Sequence, residues 1–124
     1  MYNKNILIVD DDQGLLRLLE TNLTSSGFQV CTANNGEQGM QMAQERRPDL
    51  IILDVLMPSI KGRQVCTQLK SSPETKDIPI IFLTAKNSPD DVKAEIEAGA
   101  VAHLTKPINT QKLLAEVKNA LGLK

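Results

Sequence analysis

At 124 residues, 41% hydrophobic and 23% charged, the chain has the length of one domain, expected to span 1–124, and enough apolar material for a real core. A net charge of −1 favours neither nucleic acid nor membrane, and Tyr2, Phe28 and Phe82 are too few aromatics for a base-stacking platform. No signal peptide is visible and no apolar run approaches the roughly 20 residues of a membrane-spanning helix, so a cytoplasmic protein is expected.

The first predicted element is a strand, Ile6 to Val9, which runs straight into Asp10, Asp11 and Asp12. Adjacent carboxylates stay ionised only with water, hydrogen bonds or a cation around them. The acids therefore mark either an exposed turn or a cation site. Leu15, Leu16, Leu19 and Leu23 share one helical face, and Gly27 stands where that helix should stop. Phe28 to Ala33 is the second strand. Asn35-Gly36 reads as a turn, Met40 and Ala43 give the second helix a weak apolar face, and Arg46-Arg47 is its solvated end. Pro48-Asp49 is a further turn, and the third strand, Leu50 to Leu53, ends at Asp54.

Val65 and Leu69 mark a third helix, followed by a polar loop from Ser71 to Lys76. The fourth strand, Ile80 to Leu83, ends at Thr84. Ser88-Pro89-Asp90-Asp91 is a helix start, with a capping serine, a proline at the first helical position and an acid at the third. Val92 and Ile96 continue that helix to Gly99. Ala102 to Leu104 is the fifth strand and leads to Lys106, and Leu113, Leu114, Val117 and Leu121 form the last apolar stripe. Cys31 and Cys66, outside any paired-cysteine pattern, read as reduced core or near-core thiols rather than a disulfide or metal pair. With His103 the one histidine, a histidine-based metal site is excluded.

Strands alternating with helices imply an α/β fold, a doubly wound parallel sheet of five strands with helices on both faces. Such sheets bind ligands at the carboxyl ends of their strands. Asp10 and Asp11, Asp54, Thr84 and Lys106 all fall at that edge. Clustered hard oxygens with no histidine or cysteine among them suit Mg²⁺. A carboxylate nucleophile, Mg²⁺, a lysine and a hydroxyl together make a phosphoryl-transfer site. No glycine-rich phosphate loop follows the first strand, which disfavours nucleotide or flavin binding.

In ILIVDDD, LIILDVLMPSIKG, IIFLTAK and AGAVAHLTKPI, correctly ordered and spaced, the chain resembles the receiver domain of two-component response regulators. The resemblance covers essentially the whole chain and implies the flavodoxin-like strand order 2-1-3-4-5. It implies that Asp54 accepts a phosphoryl group from the phosphohistidine of a histidine kinase or phosphotransfer protein. Asp10 and Asp11 would hold Mg²⁺, with Asp11 the direct ligand of the two, joined by Asp54 and the backbone carbonyl of Leu56. Lys106 would pair with a phosphoryl oxygen and the carboxylate. Thr84 would move toward the phosphoryl group and shift the surface of the fourth helix, fifth strand and fifth helix, controlling a downstream target protein or output domain. The Lys106–Pro107 bond is usually cis in this family. A monomer or weak dimer is expected, without direct nucleic-acid or membrane binding.

Some positions depart from the family pattern. His103 stands where the family usually carries Tyr or Phe. It is either a ring that turns with Thr84, adding pH sensitivity, or an exposed histidine with no switching role. Leu56 and Lys86 occupy positions that border the phosphoryl group, and Lys61 stands where an acid is common. Asp12 is either part of the acid cluster or simply the start of the first helix, where the dipole favours an acid.

Two other functions compete. A haloacid-dehalogenase-like, Mg²⁺-dependent phosphatase would use Asp10 and Asp12 as its first motif. It would leave Asp54 without a nucleophilic role, and no acidic pair follows Lys106. A degenerate receiver would act as a binding module without phosphorylation, which the full set of Asp10, Asp11, Asp54, Thr84 and Lys106 argues against.

Overall fold

The computed structural model describes residues 2–54, 62–84 and 99–123. Among these residues five strands form one parallel sheet: β1 (Asn5–Val9), β2 (Gln29–Ala33), β3 (Leu50–Asp54), β4 (Ile80–Thr84) and β5 (Ala102–Thr105). Their order is β2-β1-β3-β4-β5, the doubly wound order that the resemblance implies. Four helices are described: α1 (Gln13–Ser25), α2 (Gly36–Arg46), α3 (Gly62–Ser71) and the C-terminal α4 (Thr110–Ala120). The helix expected from Ser88 through Val92 and Ile96 lies outside the described residues, as do Leu56, Met57-Pro58, Lys61 and Lys86.

Strand alternation decides which helix packs where. Successive side chains of a strand point to opposite faces. Ile6, Ile8, Leu50, Ile52, Ile81, Leu83 and Leu104 therefore face one way, onto Leu16, Leu19 and Leu23 of α1 and Leu113 and Val117 of α4. Leu7, Val9, Ile51, Leu53, Ile80 and Phe82 face the other way, onto Ala43 of α2 and Val65, Cys66 and Leu69 of α3. The central strands β3 and β4 are buried along their whole length, whereas the outer strands β2 and β5 are half-exposed. The sequence expectation of burial on both faces fails at these two because each has a neighbour on one side only. Neither cysteine is in a disulfide, and Cys66 is buried and Cys31 half-buried, as read from the sequence.

Helix ends follow local chemistry. Gly27 takes a φ of 100° and closes α1: the Phe28 N–H donates to the Leu23 carbonyl at 3.1 Å and the Gly27 N–H to the Thr24 carbonyl at 3.0 Å. That turn drops Phe28 into the core beside Leu23. Asn35, expected in a turn, is the N-cap of α2, its Oδ1 accepting the Gln38 N–H at 2.8 Å. The same side-chain oxygen serves a turn or a cap, and what decides is the helix that follows. Gly39 lets α2 approach the sheet: a Cβ there would lie 2.8 and 2.9 Å from the methyl carbons of Val9, the residue before Asp10.

Candidate phosphoryl and cation site

The sheet register brings the predicted polar residues to one edge. Val9 of β1 pairs with Leu53 of β3, so Asp10 and Asp54 follow side by side on neighbouring strands. Asp54 pairs with Leu83, which puts Thr84 one residue beyond it on β4. Thr84 pairs with Thr105, and the next N–H, that of Lys106, donates to the Thr84 carbonyl at 2.7 Å. This edge lies at the switch of strand order between β1 and β3, where a doubly wound sheet opens a crevice.

One carboxylate oxygen from each of Asp10, Asp11 and Asp54 lies within 4.8 Å of the others. Asp10 is fully buried, Asp54 and Thr84 nearly so, and Asp11 is exposed. Lys106 extends its ammonium between two of the acids, with Nζ 3.2 Å from Asp10 Oδ2 and 3.5 Å from Asp54 Oδ2. The sequence reading pairs this lysine with Asp54; the structure adds Asp10 and puts it nearer. The Lys106–Pro107 peptide is cis, as the resemblance implies.

The two oxygens of Asp10 have different surroundings. Oδ1 accepts the Asp12 backbone N–H at 3.0 Å. Oδ2 is buried without a hydrogen-bond partner among the described residues and has the Lys106 ammonium as its ion-pair neighbour. Burial pushes the Asp10 carboxyl up to about 6, the Asp54 charge adds to the rise, and the Asp12 N–H and Lys106 oppose it. Burial also opposes the charge of Lys106, but Asp10 and Asp54 outweigh it and hold the ammonium above the ordinary lysine range.

A buried carboxylate oxygen without a hydrogen-bond donor, beside two further carboxylates, fits a hard divalent cation. Asp10, Asp11 and Asp54 are the side chains that would hold it; the Leu56 carbonyl expected to join them lies outside the described residues. Asp12 is not in this group. It caps α1, its Oδ1 accepting the Leu15 N–H at 3.2 Å, which resolves the alternative left open by the sequence. Its backbone bond to Asp10, like the Lys106–Asp10 pair, is a feature of the site that residue types and spacing did not reveal. An acid two residues after another, at the start of a helix, is the signal that carries it.

Thr84 and His103 share a sheet face. Phe82 pairs with His103 in register, and Thr84 stands two residues after Phe82 on the same side of β4. His103 itself is half-buried on the outer strand β5.

Comparison with known proteins agrees with this geometry. Residues 6–118 match the model of the response regulator receiver domain. The alkaline phosphatase synthesis transcriptional regulatory protein PhoP of Bacillus subtilis is 41% identical over 119 residues, 96% of this chain and 49% of PhoP. The chain thus spans about half the length of that curated relative. A crystal structure of a putative response regulator from Chloroflexus aurantiacus superposes with a TM-score of 0.92 at 39% identity, covering 97% of this chain and 98% of that one. The chemotaxis protein CheY4 of Vibrio cholerae gives a TM-score of 0.92 at 31% identity, covering 96% and 99%. Nearly the whole chain is matched, by sequence and by shape, to proteins of one kind, which favours the signalling reading over a phosphatase. The chain belongs to the response regulator receiver domain family, the phospho-accepting switches of two-component signalling.

Proposed function

We propose that Asp54 is the phosphoacceptor of this receiver, taking its phosphoryl group from the phosphohistidine of a histidine kinase or phosphotransfer protein. The observation that carries this reading is the Lys106 ammonium lying between Asp10 and Asp54, 3.2 and 3.5 Å away, at the carboxyl edge of the sheet. A carboxylate oxygen of Asp54 attacks phosphorus, the bond from phosphorus to the donor imidazole nitrogen breaks, and the imidazole leaves with that electron pair and takes up a proton. Lys106 faces the charge that builds on the phosphoryl oxygens and holds Asp54 in line. Asp10, Asp11 and Asp54 would hold Mg²⁺, which when bound neutralises charge on the transferring phosphoryl group. The chain catalyses only its own phosphorylation and dephosphorylation and acts as a signalling domain.

The readout runs through Thr84. Its hydroxyl ends the strand next to Asp54 and offers a hydrogen bond to the new phosphoryl group. His103, on the same face of β5, follows that movement, and the surface of β5 and α4 changes the partner it selects. That partner is a downstream target protein or an output domain.

The test is incubation with acetyl phosphate, with and without Mg²⁺, followed by intact-protein mass spectrometry. A single phosphoryl adduct that requires Mg²⁺ and is missing from Asp54→Asn is expected. An adduct of equal yield in Asp54→Asn would refute the assignment.

A further inference from the structure

We infer that Asp12 is a positioning residue of the cation site, acting on Asp10 through the helix it caps; the inference rests on the reading of Asp10 as a cation ligand. Asp10 stands one residue beyond β1, its backbone N–H still donating to the Ala33 carbonyl of β2 at 3.1 Å, a bond that holds the main chain and leaves the carboxylate to be set by other contacts. What fixes it is the Asp12 N–H, which holds Oδ1 at 3.0 Å and leaves Oδ2 facing Lys106. The Asp12 backbone is itself held from the other side. Its Oδ1 accepts the Leu15 N–H at 3.2 Å and its carbonyl accepts the Leu16 N–H at 3.0 Å. These bonds keep Asp12 extended, at φ −88° and ψ 103°, rather than letting it join or fray the first turn.

The exposed Asp12 carboxylate is thus committed to the helix and not to a ligand, while its backbone aims the buried ligand. Groups that orient metal ligands are commonly worth about tenfold or more in metal affinity. A capping acceptor is what the position needs, so Asn and Ser should serve and Ala should not. A charge effect would rank the same variants differently, with Asn and Ala equally impaired.

The experiment is Mg²⁺ titration by isothermal calorimetry on the full chain, comparing wild type with Asp12→Asn, Asp12→Ser and Asp12→Ala. Asn35→Ala, which removes the cap of α2, serves as a control for helix loss away from the site. Thermal melts of all five proteins report stability separately. We expect Asp12→Ala to bind Mg²⁺ about tenfold more weakly, and Asp12→Asn and Asp12→Ser to stay within about threefold of wild type. Asn35→Ala should lose stability and keep its affinity. Should Asp12→Ala fail to fold, Asp12→Gly takes its place, since glycine starts a helix with little loss but has no side-chain acceptor. Full affinity in the variant without an acceptor overturns the inference, and so does an Asn variant as weak as Ala. Wild-type protein that binds no Mg²⁺ overturns the cation-site reading itself, and the inference with it.

Discussion

Lys106 lies closer to Asp10 than to Asp54, at 3.2 against 3.5 Å. Among the described residues the buried Oδ2 of Asp10 has no hydrogen-bond partner, so the ammonium is its counter-charge. A cation held by Asp10, Asp11 and Asp54 would have this ammonium as a like-charged neighbour, and the negative charge of a phosphoryl group on Asp54 would give both of them a partner.

Removing the lysine should remove that like charge. Lys106→Met keeps most of the side-chain volume and deletes the charge. Mg²⁺ affinity is expected to rise about fivefold, the equivalent of roughly 1 kcal/mol of lost repulsion, while phosphorylation by acetyl phosphate falls sharply. Calorimetry and mass spectrometry on the same preparation read both effects. Weaker Mg²⁺ binding in the variant would contradict the repulsion.

The raised carboxyl of Asp10 makes metal-free stability depend on pH. Its carboxyl is raised from 3.8 to about 6, so between these values the folded chain binds more protons than the unfolded chain. The stability contributed by the protonated form is fully present below about 3.8 and is lost as pH rises through about 6. Urea denaturation in a metal chelator is expected to show stability falling across this window, and Mg²⁺ should remove the fall. A rise across the window in chelator would refute the assignment.

Asp10→Asn replaces the buried charge by a neutral group of the same shape. At pH 7 without metal the variant should be more stable than wild type, by about 1–3 kcal/mol. Its Mg²⁺ binding should be lost or reduced severalfold. Chemical denaturation and calorimetry test the two halves together, because an unstable variant would mean that the Lys106 pair outweighs burial.

Gly39→Ala is expected to destabilise the fold despite alanine's higher helix propensity. The new methyl would meet both methyl carbons of Val9 at 2.8 and 2.9 Å, and Val9 is itself buried in the core. A loss of about 1–3 kcal/mol is expected, read from the midpoint of urea denaturation. Since Val9 precedes Asp10, Mg²⁺ affinity should fall as well.

The sheet was legible because β1, β3 and β4 are short apolar runs, each followed at once by a polar residue of the site. The alternation that divides Ile6 and Ile8 from Leu7 and Val9 needs no more than the period of a strand. The half-exposure of β2 and β5 was hidden, since their apolar runs resemble those of the central strands and strand order is not written in them. At the site, Asp10, Asp11, Asp54, Thr84 and Lys106 were readable by position. The preference of Lys106 for Asp10 was not, because it depends on side-chain distances across strands far apart in sequence. Asp12 and Asn35 were ambiguous for a different reason. A side-chain oxygen at a loop end serves ligand, turn or cap equally well until the following N–H groups are in place. Arg47, which ends α2 at a φ of 44°, carries no such signal, because nothing in its chemistry favours that conformation.

The central claim is that Asp54 carries the phosphoryl group. The most direct measurement is to phosphorylate the chain with acetyl phosphate and Mg²⁺, reduce it with borohydride, and map the product by tandem mass spectrometry. Borohydride converts an aspartyl phosphate to homoserine and leaves a free aspartate intact, so the modified residue is marked permanently. Homoserine at position 54, absent without Mg²⁺, is the predicted result. Homoserine at position 10 or 11 with position 54 unmodified would contradict it and return the nucleophile to the end of the first strand.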